Sequence, residues 1–426
     1  MNYDMIIVGA GIAGLRVGIK TLKKSPNLRC CILEKYNYNG GRIVTYFSKL
    51  PTIGKIQWEN GAGRISTSHT RVLELLDKYK LTFVPIPTEV NYNMHSNNFI
   101  ELFSIFLEPL YTIPTEILQM HTLKQLLHKL WGSVTAKNFY SRFPYYSEIH
   151  VLRADIALES FRHEMGTTAG FGKCKEGLST LIKCMVDEFE SLGGVILHNT
   201  EVTSLLRGKA LSDNASSSNA SISNASISIT CNTPEKKVFY TNKCVLALHC
   251  DAIRHIRGVQ HMDVLKKLTM QPLLRMYAVF PVRKGVSWFS DIPTTVTNSP
   301  LRYIIPINPQ KGIIMISYTE GKDASYWMNH TQIEKNVMKE IRSLYSDHTI
   351  PDPTFFKMHS WDNGTTYWLP GDYSVEKESI NALHPLPQKF PGLFMCGESF
   401  AVNQAWMESA LEHADMLLEY FEDNAL

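Results

Sequence analysis

Met5-Ile6-Ile7-Val8-Gly9-Ala10-Gly11-Ile12-Ala13-Gly14 is the stretch on which the fold turns. An unbroken apolar run enters a G-x-G-x-x-G turn, and apolar residues then recur at helical spacing from Ile12 to Lys24. Tyr3 to Val8 therefore reads as a strand, and Arg29 to Leu33 as a second strand ending in Glu34. Gly9, Gly11 and Gly14, with Ile12 and Ala13 between them, let the backbone turn sharply and approach a pyrophosphate at the helix N-terminus. Glu34, about 20 residues further on, supplies a carboxylate for ribose hydroxyls. The unit predicts an α/β, dinucleotide-binding fold that starts almost at the first residue.

The rest of the composition agrees with a cofactor enzyme. A chain of 426 residues with 44% apolar and 19% charged residues is long enough for two domains with substantial cores and too apolar for extensive disorder. Basic and acidic residues balance at 43 to 40, so no whole-protein field favours nucleic acid or an anionic membrane, although local basic patches remain open. Eight cysteines without a CxxC, and no secretory start, predict reduced thiols in a cytoplasmic setting. No apolar run reaches the roughly 18–20 residues of a membrane span. No H-E-x-x-H, clustered metal-ligand spacing, G-x-S-x-G or Walker loop is present, so metal, serine-hydrolase and NTPase chemistry lack support.

Along the chain, Thr70 to Tyr79 reads as a helix and Ile100 to Tyr140 as a helical cap. Glu176 to Leu192 is helical, and Val195 to Leu206 and Lys243 to Leu248 are strands returning to the nucleotide fold. Leu273 to Val282, Leu301 to Ile307 and Gly312 to Tyr318 are strand-like, with a helix from Gln332 to Leu344. The segment 212–228, with N-A-S at Asn214, Asn219 and Asn224, is expected to be a mobile polar loop. Glu412, His413 and Asp415 read as a polar helix face.

Gly40-Gly41-Arg42 follows Glu34 closely, and EKYNYNGGRIVTY (Glu34 to Tyr46) resembles the signature of the flavin-containing amine oxidase family. Gly61-Ala62-Gly63-Arg64 resembles its flavin-contacting segment. Gly392 to Glu398 is similar to its last strand running into G-E, and Gln404 to Ala410 to the start of its last helix. The resemblance spans nearly the whole chain, whose compact form is similar to members seen in large DNA viruses. It implies a glutathione-reductase-type FAD-binding Rossmann-like domain with a discontinuous α+β substrate domain. The expected division is 1–80, 166–268 and 381–426 for FAD, with 81–165 as helical cap and 269–380 as the second substrate part. By the same resemblance, FAD would meet Gly9, Gly11, Ile12, Ala13, Gly14, Glu34, Lys35, Gly41, Arg42, Gly61, Ala62, Gly63, Arg64, Val202, Gly397, Glu398, Trp406 and Met407.

For the reaction, the resemblance points to Trp406 and Tyr367 as aromatic walls around an amine, with Trp361 beside Tyr367. Thr365 stands where covalently flavinylated members carry cysteine, so non-covalent FAD is expected, and Cys396 is expected to be a buried strand residue. Arg275 occupies the position where the family's oxidases usually keep a lysine; arginine keeps the charge but is planar and does not readily deprotonate. The expected activity is oxidation of an amine C–N bond to an imine, with O2 reduced to H2O2. A monoamine, a polyamine and an amino acid remain open as substrates, and an amino acid would need a cation such as Arg64 or Arg302. A desaturase or porphyrinogen-type oxidase shares the glycine motifs but not the Trp406 and Tyr367 pair. A flavin-holding binding protein without turnover is the reading that Arg275 motivates.

Overall fold

The computed structural model describes residues 1–426 apart from 52, 88, 93–98, 142, 144, 165–169, 208–226 and 425–426. Asn214, Asn219 and Asn224 lie outside the described residues, and the far end of the expected loop enters the strand Ile227–Asn232.

Five parallel strands form the central sheet, in the order Leu393–Met395, Lys243–Leu246, Met5–Val8, Cys30–Leu33, Val195–Leu197. Met5–Val8 and Cys30–Leu33 are buried at every position, which explains why they read as continuous apolar runs rather than alternating ones. Period-two geometry then divides their side chains. Met5 and Ile7 join the core beneath the helices Ile12–Lys24, Leu178–Ser191 and Met407–Asp423. Ile6 and Val8 join the opposite core, shared with the antiparallel sheet Glu201–Arg207, Ile227–Asn232, Val238–Thr241. Gly18 lets the first helix close on Phe189, because a Cβ there would come within 2.6 Å of that ring.

A second, six-stranded sheet has the order Phe355–Trp368, Leu268–Val279, Ile313–Glu320, Tyr303–Asn308, Thr294–Val296, Val90–Asn91. Leu268–Val279 is antiparallel to both of its neighbours, and its register sets Arg275 opposite Tyr318 and Leu273 opposite Trp361. The stretch expected to be helical from Ile100 to Tyr140 is divided among Phe99–Leu107, Thr115–Leu118, Leu123–Trp131 and Ser133–Tyr140. Thr122 caps the third by a reciprocal bond pair with Gln125.

Several elements differ from the sequence reading. Val195 to Leu206 is two strands, Val195–Leu197 and Glu201–Arg207, because the chain turns at Asn199 (φ 53°) to pass from one sheet to another. The strand placed at Leu273 to Val282 begins earlier and stops sooner, at Leu268–Val279. The hairpin Thr45–Leu50 and Gly54–Glu59 was not among the expected elements, although Ile56 and Trp58 alternate with polar residues in its second strand. His413 does not share a polar face. It is fully buried, with Nε2 3.0 Å from the Ser379 carbonyl, because the helix Val375–Leu383 covers that side. Asp415 is partly buried and bonded to Arg16 and Arg71.

Candidate functional site

One cavity of about 850 Å³ lies between the two main sheets, toward the upper end of the roughly 300–1,000 Å³ usual for small-ligand sites. Its lining includes every residue named above for cofactor or chemistry except Gly14 and Arg302: Gly9, Gly11, Ile12, Ala13, Glu34, Lys35, Gly41, Arg42, Gly61, Ala62, Gly63, Arg64, Val202, Arg275, Trp361, Tyr367, Gly397, Glu398, Trp406 and Met407. Gly14 stands behind the wall. A Cβ on it would lie 2.2 Å from the Gly9 carbonyl oxygen, so glycine is required for the turn to close against the helix. Gly9 has φ 105°, a region that side chains disfavour.

The glycine-rich end is built from backbone. Gly11 precedes Ile12–Lys24, which has neither a side-chain cap nor an acidic residue in its first turn. Its N–H groups therefore remain available to an anion, and the helix dipole favours one there. A Cβ at Gly11, Gly41 or Gly397 would meet nothing within 4 Å, and all three face the same cavity. Glu34 is 5% exposed and pinned by two backbone donors, Ala10 N–H to Oε2 (2.8 Å) and Tyr36 N–H to Oε1 (2.9 Å). A carboxylate held this way keeps lone pairs for hydroxyl donors. Lys35 is at the exposed rim and paired with Glu201 at 2.8 Å.

Midway, residues far apart in the chain interlock. Arg42 donates to the Gly364 carbonyl (2.8 Å) and to Glu398 Oε2 (2.7 Å), and Glu398 also accepts from Ala405 N–H (2.8 Å) and the Thr366 hydroxyl (3.2 Å). Gly61 sits where a Cβ would strike the Arg42 carbonyl oxygen at 2.1 Å. His249, on the same wall, is pushed down to about 3, first by burial and then by Arg42, so its imidazole is neutral. The helix Met407–Asp423 also starts at the cavity without a side-chain cap.

The far end is built from side chains. Trp406 packs edge-on against His69 (4.9 Å between centroids) and parallel to Phe171 (6.2 Å), while the Arg64 guanidinium lies 4.9 Å from the Phe171 ring centre. Trp361 Nε1 donates to the Asn60 carbonyl at 2.9 Å. Tyr367 is 3% exposed, and its hydroxyl donates to Glu320 Oε2 at 2.8 Å. Burial, then Glu148 and Glu320, hold that phenol well above its ordinary value. Arg275 is buried, donating to the Glu59 carbonyl at 3.1 Å with its guanidinium 5.0 Å from the Tyr318 ring centre. It forms no ion pair with a carboxylate among the described residues. Arg302, the other cation considered for an amino-acid carboxylate, is turned to Asp323 at 2.5 Å and does not line the cavity.

The sequence reading missed Glu148, Glu320, Tyr145, Tyr303, Tyr318 and His249, all of which line the cavity. Glu320 ends a strand, and its Oε1 accepts from Ser147 N–H at 2.8 Å, a partner set only by tertiary packing. No cysteine lines the cavity among the described residues, and Cys396 is fully buried just beyond the last strand of the central sheet. No group of metal-binding side chains occurs among them either, and no helix there is long and apolar enough to cross a membrane.

An uncapped helix N-terminus, three glycines open to one cavity and a backbone-pinned acidic residue define a dinucleotide-binding enzyme site, and the groups present fit FAD. The sequence profile described as "Flavin containing amine oxidoreductase" matches residues 114–415, and one described as "NAD(P)-binding Rossmann-like domain" matches residues 7–79. With most of its length matched, the chain belongs to the flavin-containing amine oxidoreductases, and it is a flavin-dependent oxidoreductase that uses FAD to oxidise a small amine. No curated protein matches in a direct sequence search. Among solved structures, wild-type putrescine oxidase bound to putrescine is similar, with 13% identity, a TM-score of 0.72 and coverage of 100% of this chain and 99% of that one. Cyclohexylamine oxidase from Brevibacterium oxydans is similar at 16% identity and a TM-score of 0.71, over 99% of this chain and 100% of that one. At such identities the likeness concerns the fold.

Proposed function

We propose that the substrate is an amine carrying a second, cationic nitrogen, of the diamine or polyamine kind, and that O2 takes the electrons. The observation that carries this reading is the pair of carboxylates, Glu148 and Glu320, in the cavity beside Tyr145, Tyr303, Tyr318 and Tyr367. The nitrogen that reacts must be neutral, so fixed carboxylates and tyrosine faces are of most use to a nitrogen that stays charged. Glu320 is pre-positioned for this by the Tyr367 hydroxyl and Ser147 N–H, which fix both of its oxygens and leave lone pairs for an ammonium. With Arg302 outside the cavity, an amino-acid carboxylate loses one of its two candidate partners.

In this reading Gly9, Gly11, Ile12 and Ala13 hold the pyrophosphate, Glu34 a ribose, Val202 the adenine side, and Arg42 with Glu398 the middle of the cofactor. Gly41, Gly61, Ala62, Gly63, Arg64, Gly397 and Met407 surround its reactive end. The cofactor is held non-covalently, as a cavity wall with Thr365 and no cysteine supports. The chemistry that FAD supplies when bound is removal of a hydride equivalent from the carbon bearing nitrogen, its two electrons passing to O2 as hydrogen peroxide and the imine being left to hydrolyse. Trp406 and Tyr367 confine the amine and exclude water, and Arg275 adds a fixed positive charge that the Glu59 carbonyl and the Tyr318 face hold in place.

Anaerobic addition of a linear diamine, a monoamine of equal length and an amino acid to the purified flavoprotein tests the reading. The diamine should bleach the visible flavin band at the lowest concentration, and air should restore it with peroxide. Bleaching by the amino acid alone would refute the substrate class; reduced flavin that air does not reoxidise would refute the acceptor.

A further inference from the structure

The stretch between Glu116 and Glu148 contains no acidic residue, while it carries Lys124, Lys129, Lys137 and Arg142. The same part of the fold gathers large apolar side chains at the surface. Ile105 (47% exposed), Ile117 (46%), Met120 (47%), Leu130 (50%), Trp131 (37%) and Val134 (76%) all belong to the helical cap, whereas the other exposed large apolar residues are spread along the chain.

Contacts link the helices that carry these residues. Leu123–Trp131 and Ser133–Tyr140 meet at Gly132 (φ 75°), so Leu130, Trp131 and Val134 share one corner. The Trp131 ring packs edge-on against Phe106 at 5.4 Å, bringing the Ile105 helix alongside. Lys129 Nζ lies 2.7 Å from His121 Nε2, which ties Met120 and the Thr115–Leu118 turn to the same side. Lys124, Lys129 and Lys137 form no ion pair among the described residues, and Lys129 and Lys137 are exposed. Glu108 and Glu116 are also exposed on the cap.

We propose that this corner docks the protein on an anionic lipid surface, with Leu130, Trp131 and Val134 entering the interface and Lys129 and Lys137 facing lipid headgroups. Tryptophan and aliphatic tips with flanking lysines match such a boundary, where apolar burial and charge attraction add. Charge complementarity selects this occupant over a second copy of the chain, since two such corners would bring lysine against lysine. It also disfavours nucleic acid, for which six exposed large apolar groups offer no match. The mode is peripheral, in keeping with the lack of a spanning helix among the described residues.

Flotation of the intact flavoprotein with vesicles of phosphatidylcholine alone, or of phosphatidylcholine with phosphatidylserine, tests this. Binding should require the anionic lipid, weaken with salt, and fall about tenfold or more in the triple variant L130S/W131S/V134S and in K129E/K137E. Both variants alter exposed positions outside the cavity and should keep flavin content and amine turnover. Equal binding to neutral vesicles, no binding to either kind, or unchanged binding in both variants would overturn the proposal. So would a dimer in size-exclusion chromatography that only the triple variant dissociates, because the corner would then join two copies.

Discussion

The two ends of the cavity are built on different principles. At the glycine end the wall is main chain: amides of a helix start, glycine faces, and a carboxylate whose position two backbone N–H groups dictate. At the far end it is side chain: Tyr367, Trp361, Trp406, Arg275 and Glu320, each placed by strand register or by a partner distant in sequence. A backbone wall tolerates almost no change in shape but is indifferent to which substrate is oxidised. A side-chain wall can be altered one residue at a time, and there the choice of substrate is made.

The strongest test of that contrast is Gly14→Ala. Its Cβ would lie 2.2 Å from the Gly9 oxygen, so about 3 kcal/mol of stability and most of the bound flavin should be lost, read by denaturant unfolding and by absorbance after purification. A yellow Gly14→Ala protein of ordinary stability would show that the turn is not under this constraint. At the opposite end, Glu320→Gln should lower kcat/KM for a diamine about 10- to 100-fold while changing a monoamine little, because one charged partner is removed without a change of shape. Equal losses on both substrates would assign Glu320 to the framework.

A smaller effect concerns His413 in the packing behind the glycine end. Burial holds its pKa at about 4 against an ordinary 6.5, with the Ser379 carbonyl opposing. The unfolded chain therefore takes up the proton first as pH falls. This contribution to stability is complete above about pH 6.5 and is lost progressively as pH falls toward about pH 4. Unfolding midpoints across that range should show the slope, and His413→Gln should flatten it. Smallest of all is Gly11→Ala: with nothing within 4 Å of its Cβ, stability should stay within about 0.5 kcal/mol while FAD binds several-fold more weakly. A full-affinity Gly11→Ala protein would mean that the cofactor does not approach this wall.

What could be read from the sequence follows the same division. The run Met5 to Gly14 and Glu34 announce their geometry within one βαβ unit, because steric limits on glycine and the apolar filling of a parallel strand are local rules. Trp406, Tyr367 and Arg275 could be singled out only through resemblance, and their neighbours could not be foreseen. Nothing near Glu320 signals that Ser147 and Tyr367 will hold its two oxygens. The Thr45–Leu50 hairpin escaped notice because its strand Thr45–Leu50 mixes polar and apolar residues without a strict alternation. His413 was misread because helical spacing alone does not tell which face a later-packed helix, here Val375–Leu383, will cover.

The Arg42–Glu398 pair has a consequence for how the protein is made. Synthesis delivers the glycine-rich turn first, yet Arg42 must wait for a partner 356 residues downstream, and the central sheet waits just as long for its strand Leu393–Met395. Until then Lys243–Leu246 is an edge strand with an open ladder of amides and carbonyls. A ribosome paused shortly before Leu393 would thus carry a chain with that edge exposed, and cofactor capture waits until the strand Leu393–Met395 and Glu398 have been made.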